Sequence, residues 1–122
     1  MFKPIIKEFR DDRGKIQILD DNFIRIETFA NKIRASHYHK KFGHWCVVVS
    51  GNIEYYERKT GSNSKPFITI YKSGSVFYTP KMYDHLMKFN VNTLFYCWSD
   101  GKRDQKSYCR DTFKLNYDLT KI

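Results

Sequence analysis

At 122 residues the chain has room for one compact domain, 1–122, and is too short for two; 41% hydrophobic and 17% aromatic residues exclude a disordered chain. The longest apolar runs, such as Cys46-Val47-Val48-Val49, fall far short of the roughly 18 residues of a membrane helix, and the opening Met1-Phe2-Lys3-Pro4-Ile5-Ile6 lacks the apolar stretch of a secretory leader, so no membrane partner and a cytoplasmic location are expected. The net charge of +9 comes from scattered cations, the largest groups being Lys40-Lys41 and Lys102-Arg103-Asp104-Gln105-Lys106, which predicts a solvated basic surface attractive to a small anion such as a nucleotide or phosphate, and no nucleic-acid partner.

Taken in chain order, short runs rich in Ile, Val, Tyr, Phe and Thr predict strands over 15–19, 23–29, 35–39, 44–50, 53–58, 67–72, 75–79, 85–90 and 93–99. Turn residues separate them: Asp11-Asp12-Arg13-Gly14, Asp20-Asp21-Asn22, Ser50-Gly51-Asn52, the stretch from Thr60 to Pro66, and Ser73-Gly74. Nothing in this stretch repeats at 3.6 residues, so an all-β barrel or double-sheet jelly roll is expected, an architecture that manages exposed strand edges by closing on itself. From Gly101 the chain is polar until Tyr108 to Leu115, which reads equally as a short helix or an outer strand. The three cysteines, Cys46, Cys97 and Cys109, have an odd count and no paired spacing, which neither a disulfide framework nor a zinc ribbon would produce. Two of them fall in predicted strands and are expected as buried thiols.

The four histidines carry most of the chemistry. His37 and His39 are two apart, which on a strand puts both on one face. His44 follows Lys40-Lys41-Phe42-Gly43, where the glycine is expected to let the chain bend so that a third imidazole returns to the same point. His85 comes from a distant strand, after a turn at Pro80. Such a set can surround a divalent metal ion (Fe, Mn, Ni or Zn) and leave a position open for a ligand. Tyr38, Tyr55, Tyr78 and Trp98 are aromatic candidates for the pocket wall.

The stretch from His37 to Gly51, with His37, His39, His44 and Gly51 at the fixed places, resembles the first cupin motif, H-x-H-x(3,4)-E-x(6)-G. Gly74 to His85, with Pro80 between, resembles the second, G-x(5)-P-x-G-x(2)-H. The resemblance to the cupin superfamily implies a single jelly-roll (double-stranded β-helix) barrel and a metal held by His37, His39, His44 and His85. It also suggests a homodimer, because small barrels often pair through sheet edges. The sequence departs from the motifs at four places: Asn31 stands for an opening Gly, His44 for the Glu ligand, Met82 for an inner Gly and Phe89 for a final Asn. Asn tolerates a left-handed backbone, so the first change is mild.

Three further segments, Asp11-Asp12-Arg13-Gly14, Arg34 to Lys40 and Tyr108 to Phe113, resemble nucleotide-sugar cupins, the 3,4-ketoisomerases and 3,5-epimerases of keto-deoxysugars. In them Ala35 replaces a Gly and Tyr38 an Ala. That resemblance implies a metal-free reaction in which His37 and His39 are the catalytic acid and base and Arg34 binds the phosphate of a nucleotide-sugar substrate. Asp11-Asp12-Arg13-Gly14 reads equally as a plain turn, and Arg34 as a solvated surface charge. Three functions therefore stand: a metal-dependent enzyme acting on a small polar or anionic molecule, a metal-free sugar isomerase, and a non-catalytic ligand-binding cupin.

Overall fold

The computed structural model describes residues 7–20, 22–100 and 105–122. Asp21 of the second turn, the opening through Ile6, and Lys102, Arg103 and Asp104 of the basic group lie outside the described residues. Ten strands run from β1 to β10: Lys7–Asp11, Gly14–Asp20, Phe23–Thr28, Lys32–Tyr38, His44–Ser50, Asn52–Lys59, Phe67–Lys72, Val76–Thr79, Tyr83–Phe89 and Thr93–Ser99. A short helix α1 (Gln105–Arg110), a two-residue strand β11 (Phe113–Lys114) and a 3-10 turn (Leu119–Lys121) follow. The tail thus contains both elements between which the sequence left the choice open.

Every strand pairing is antiparallel. One sheet has the order β1-β2-β3-β10-β5-β8 and the other β11-β4-β9-β6-β7. Alternation decides which side chains meet between them. On β10, Thr93, Phe95, Cys97 and Ser99 are buried while the residues between them are partly exposed, and on β5 His44, Cys46 and Val48 face inward in the same way. The sheets interlock through aromatic pairs, Phe89 with Phe95 (ring centroids 5.5 Å) and Tyr71 with Phe77 (4.0 Å, stacked).

Strand β9 is buried on both faces, unlike a strand covered on one side only. Its Met87 and Phe89 enter the core between the sheets, whereas Leu86 packs on the outer face with Tyr56 and Leu119, covered by the tail. Among the described residues no helix is long and apolar enough to cross a membrane.

The structure departs from the expected elements at several points. Strand β1 was not predicted: all five of its residues are exposed, so it carries no burial alternation. Strands β4 and β9 start at Lys32 and Tyr83, before the predicted 35 and 85. Gly43 has no left-handed backbone; its requirement is room, because a Cβ there would lie 2.6 Å from the Thr79 carbonyl oxygen. The two motif glycine positions held by other residues are left-handed, with φ of 67° at Asn31 and 60° at Met82.

Candidate metal centre

The site lies at one end of the barrel, where β4 finishes, β5 begins and β9 begins. Strand β4 reaches it through an irregularity. Ala35 and Ser36 have φ of 68° and 64°, and the register with β9 shifts between Ala35 and His37. On a regular strand Arg34 and His37, three apart, would face opposite ways. The bulge inserts a residue and turns both into the same cavity.

His37 is directly opposite His85 on β9, His39 follows the end of β4, and His44 opens β5 opposite Ser99 and Thr79. The backbone N–H of Met82, at the turn before β9, donates to the His39 carbonyl at 2.7 Å and ties the two histidine-bearing segments together. Ring centroids are 4.6 Å apart for His37 and His85, 4.7 Å for His37 and His39, and 5.4 Å for His39 and His85. One donor nitrogen from each of these three lies within 4.8 Å of the others. His44 flanks the trio, its ring 5.1 Å from His39 and 5.2 Å from His85.

Hydrogen bonds fix which nitrogen is available. His39 Nδ1 donates to the Asp111 carbonyl at 2.9 Å and His85 Nδ1 to the Tyr83 carbonyl at 3.0 Å. In a neutral ring that leaves the lone pair on Nε2. The His85 Nε2 is buried and has no hydrogen-bond partner. Burial, with the neighbouring imidazoles adding to it, drives His37 well below the usual histidine range, and burial brings His85 down to about 3. Imidazoles held neutral at His37 and His85, clustered with His39, are the donor set that a borderline divalent cation takes.

A cavity of about 410 Å³ opens onto His37, His44 and His85. Ile16, Ile26 and Met87 are among its apolar walls; Arg13, Arg34 and Lys114 also line it, and among the described residues no carboxylate does. Arg34 is 5% exposed, so the reading of it as a solvated surface charge is overturned. It donates Nε to the Thr28 hydroxyl and Nη2 to the Glu27 carbonyl at 3.4 Å, both neutral oxygens. Burial first, then the Arg13 charge, lowers its pKa to about 10. Of the four aromatic wall candidates only Trp98 lines the cavity. Tyr55 is core, Tyr78 points outward from β8, and Tyr38 stacks on Phe113.

The sequence reading missed Asp111. Besides the carbonyl that orients His39, its carboxylate accepts the backbone N–H groups of Lys40 (2.9 Å), Lys41 (3.0 Å) and Phe42 (3.3 Å). Those residues form the loop between His39 and His44, so one side chain of the tail holds the spacing of the two histidines. The resemblance over Tyr108 to Phe113 was the only signal, and it carried no role for Asp111.

Neither a protein-family model nor a curated protein matches this sequence. Solved structures do match it in shape. The capsular polysaccharide assembling protein CapF of Staphylococcus aureus superimposes with a TM-score of 0.78 at 18% identity, over 93% of this chain and 35% of that one. A single-residue variant of oxalate decarboxylase from Bacillus subtilis gives 0.71 at 18% identity, over 93% and 31%. The CENP-C cupin domain of Drosophila melanogaster gives 0.67 at 8% identity, over 82% of each chain. Two antiparallel sheets in this order are the cupin barrel, and the chain has that fold. It spans about a third of the length of CapF and of oxalate decarboxylase.

Proposed function

We propose that this cupin holds one divalent metal ion, Fe, Mn, Ni or Zn, through His37, His39 and His85, with His44 as the fourth ligand, and that it is an enzyme acting on a small anionic molecule. The observation that carries the reading is the donor set: two rings pinned through Nδ1 to backbone carbonyls, and a buried His85 Nε2 with no partner. A buried polar atom left unsatisfied costs about 1–3 kcal/mol, and a metal ligand bond would remove that cost. When bound, the ion would supply Lewis-acid polarisation of a substrate oxygen.

The chain's own residues supply the rest. Arg34, rigidly held by Thr28 and the Glu27 carbonyl, takes the negative group of the substrate, and Lys114 and Arg13 add to the attraction. The apolar walls lower the local dielectric and strengthen that contact. The metal-free isomerase reading keeps the same pocket and uses His37 and His39 as proton carriers. Arg34 suits it too, but a His37 whose charged form is so disfavoured is a poor proton donor near neutrality.

The experiment is metal analysis of untagged protein reconstituted with each ion, beside the His85→Gln and His44→Gln variants. About one equivalent in the wild type, lost in His85→Gln and weakened 10- to 100-fold in His44→Gln, is expected. Wild-type occupancy below roughly a tenth of an equivalent, the level of adventitious binding, removes the metal reading and leaves the proton-carrier one.

A further inference from the structure

Cys46 on β5 and Cys97 on β10 are directly opposite partners in the antiparallel register. Both side chains point between the sheets, with exposures of 0% and 8%, and their Sγ atoms are 2.7 Å apart. Directly opposite residues of an antiparallel pair have Cα atoms about 4.5–5.5 Å apart. That span falls inside the roughly 4.4–6.8 Å that a disulfide bridges, so closing one here needs no movement of the strands. The two thiols differ in access. Cys97 lines the cavity, whereas Cys46 is sealed in the core behind it.

We propose that Cys46 and Cys97 are a redox-active dithiol that closes to a cross-strand disulfide when hydrogen peroxide enters through the cavity. The Cys97 sulfur, giving up its proton, attacks one peroxide oxygen. The O–O bond breaks, and a sulfenic acid and one water result. The Cys46 sulfur, losing its own proton, then displaces hydroxide from the Cys97 sulfur, which forms the S–S bond and releases a second water. Two thiols are oxidised by two electrons and one peroxide is reduced to two waters. The bond ties β5 to β10 one inward rung from the His44 and Ser99 pair, so it clamps the strand that carries His44. The pair itself includes none of the four histidines.

The test treats the full chain with a small excess of hydrogen peroxide, quenches, and counts thiols by alkylation under denaturing conditions and intact mass. The three alkylatable thiols should fall to one and return to three with dithiothreitol. Digestion without reductant should yield the Cys46 peptide joined to the Cys97 peptide. The oxidised form should also unfold at a higher urea concentration than the reduced one. Cys109→Ser should form the same bond, and Cys46→Ser should instead carry Cys97 on to sulfinic acid. Three persistent thiols, or a bridge from Cys97 to Cys109, which also lines the cavity, would overturn the proposal.

Discussion

Arg34 is a buried cation whose two recorded bonds go to neutral oxygens, and among the described residues no carboxylate forms an ion pair with it. Removing such a charge is close to neutral or favourable, since the cost of burying it outweighs the attraction of the Asp11 carboxylate and leaves its pKa lowered. Arg34→Met should therefore leave the ligand-free protein as stable as before, or more so by up to about 2 kcal/mol in urea denaturation. The same variant should lose its calorimetric signal for phosphate or a small carboxylate. A loss of stability together with unchanged anion binding would place the charge in the framework instead. Asp111 acts oppositely. Burial raises its pKa, but the N–H groups of Lys40, Lys41 and Phe42 more than offset this, and the net shift is downward. Its contribution is present above the unfolded carboxyl value near 3.9 and is lost as pH falls through the lower folded value. At neutral pH, Asp111→Asn should cost about 2 kcal/mol, because an amide cannot accept all three donors. It should weaken metal binding beyond what that stability loss explains, since the loop fixes His39 against His44.

At the scale of elements, the bulge in β4 is the device that makes the pocket, and it stores strain. A left-handed residue with a side chain costs roughly 1–2 kcal/mol, and Ala35 and Ser36 adopt that conformation in succession. Ala35→Gly should return about 1 kcal/mol in chemical denaturation and leave metal stoichiometry unchanged. Ala35→Val, branched at a site with positive φ, should lose stability. This bulge also explains what the sequence could and could not disclose. Strands with one face in the core, such as β5 and β10, announce themselves by alternation, and the cupin motif spacings bring the histidines to one end. Arg34 could not be placed, because strand parity predicts it faces away from His37 and only the irregularity reverses that. Asp111 was invisible for another reason: its partners lie 69 to 71 residues earlier, and no local pattern encodes a contact at that distance. Strand β1, exposed throughout, offered no pattern to read.

For the whole molecule, the buried His37 and His85 set a pH limit. The folded chain holds His85 at about 3 and His37 well below its usual value, whereas both titrate near 6.5 once unfolded. Above pH 6.5 neither state is protonated and these groups leave stability untouched. As pH falls below 6.5 the unfolded chain takes up protons that the folded one refuses, so stability declines progressively toward the folded value. Urea midpoints of the metal-free protein between pH 8 and 4.5 should show this slope, and His85→Gln should make it shallower. A flat profile would mean that the imidazoles are hydrated. The Asp111 clamp has one more consequence, in the order of events during synthesis. His39 lies 72 residues ahead of the carbonyl that orients it. At ribosomal speeds of about 5–20 residues per second, that interval lasts roughly 4–14 s. During those seconds a nascent chain carries His37, His39 and His44 without the contact that orients His39, so the histidine cluster is completed only once the tail has been made.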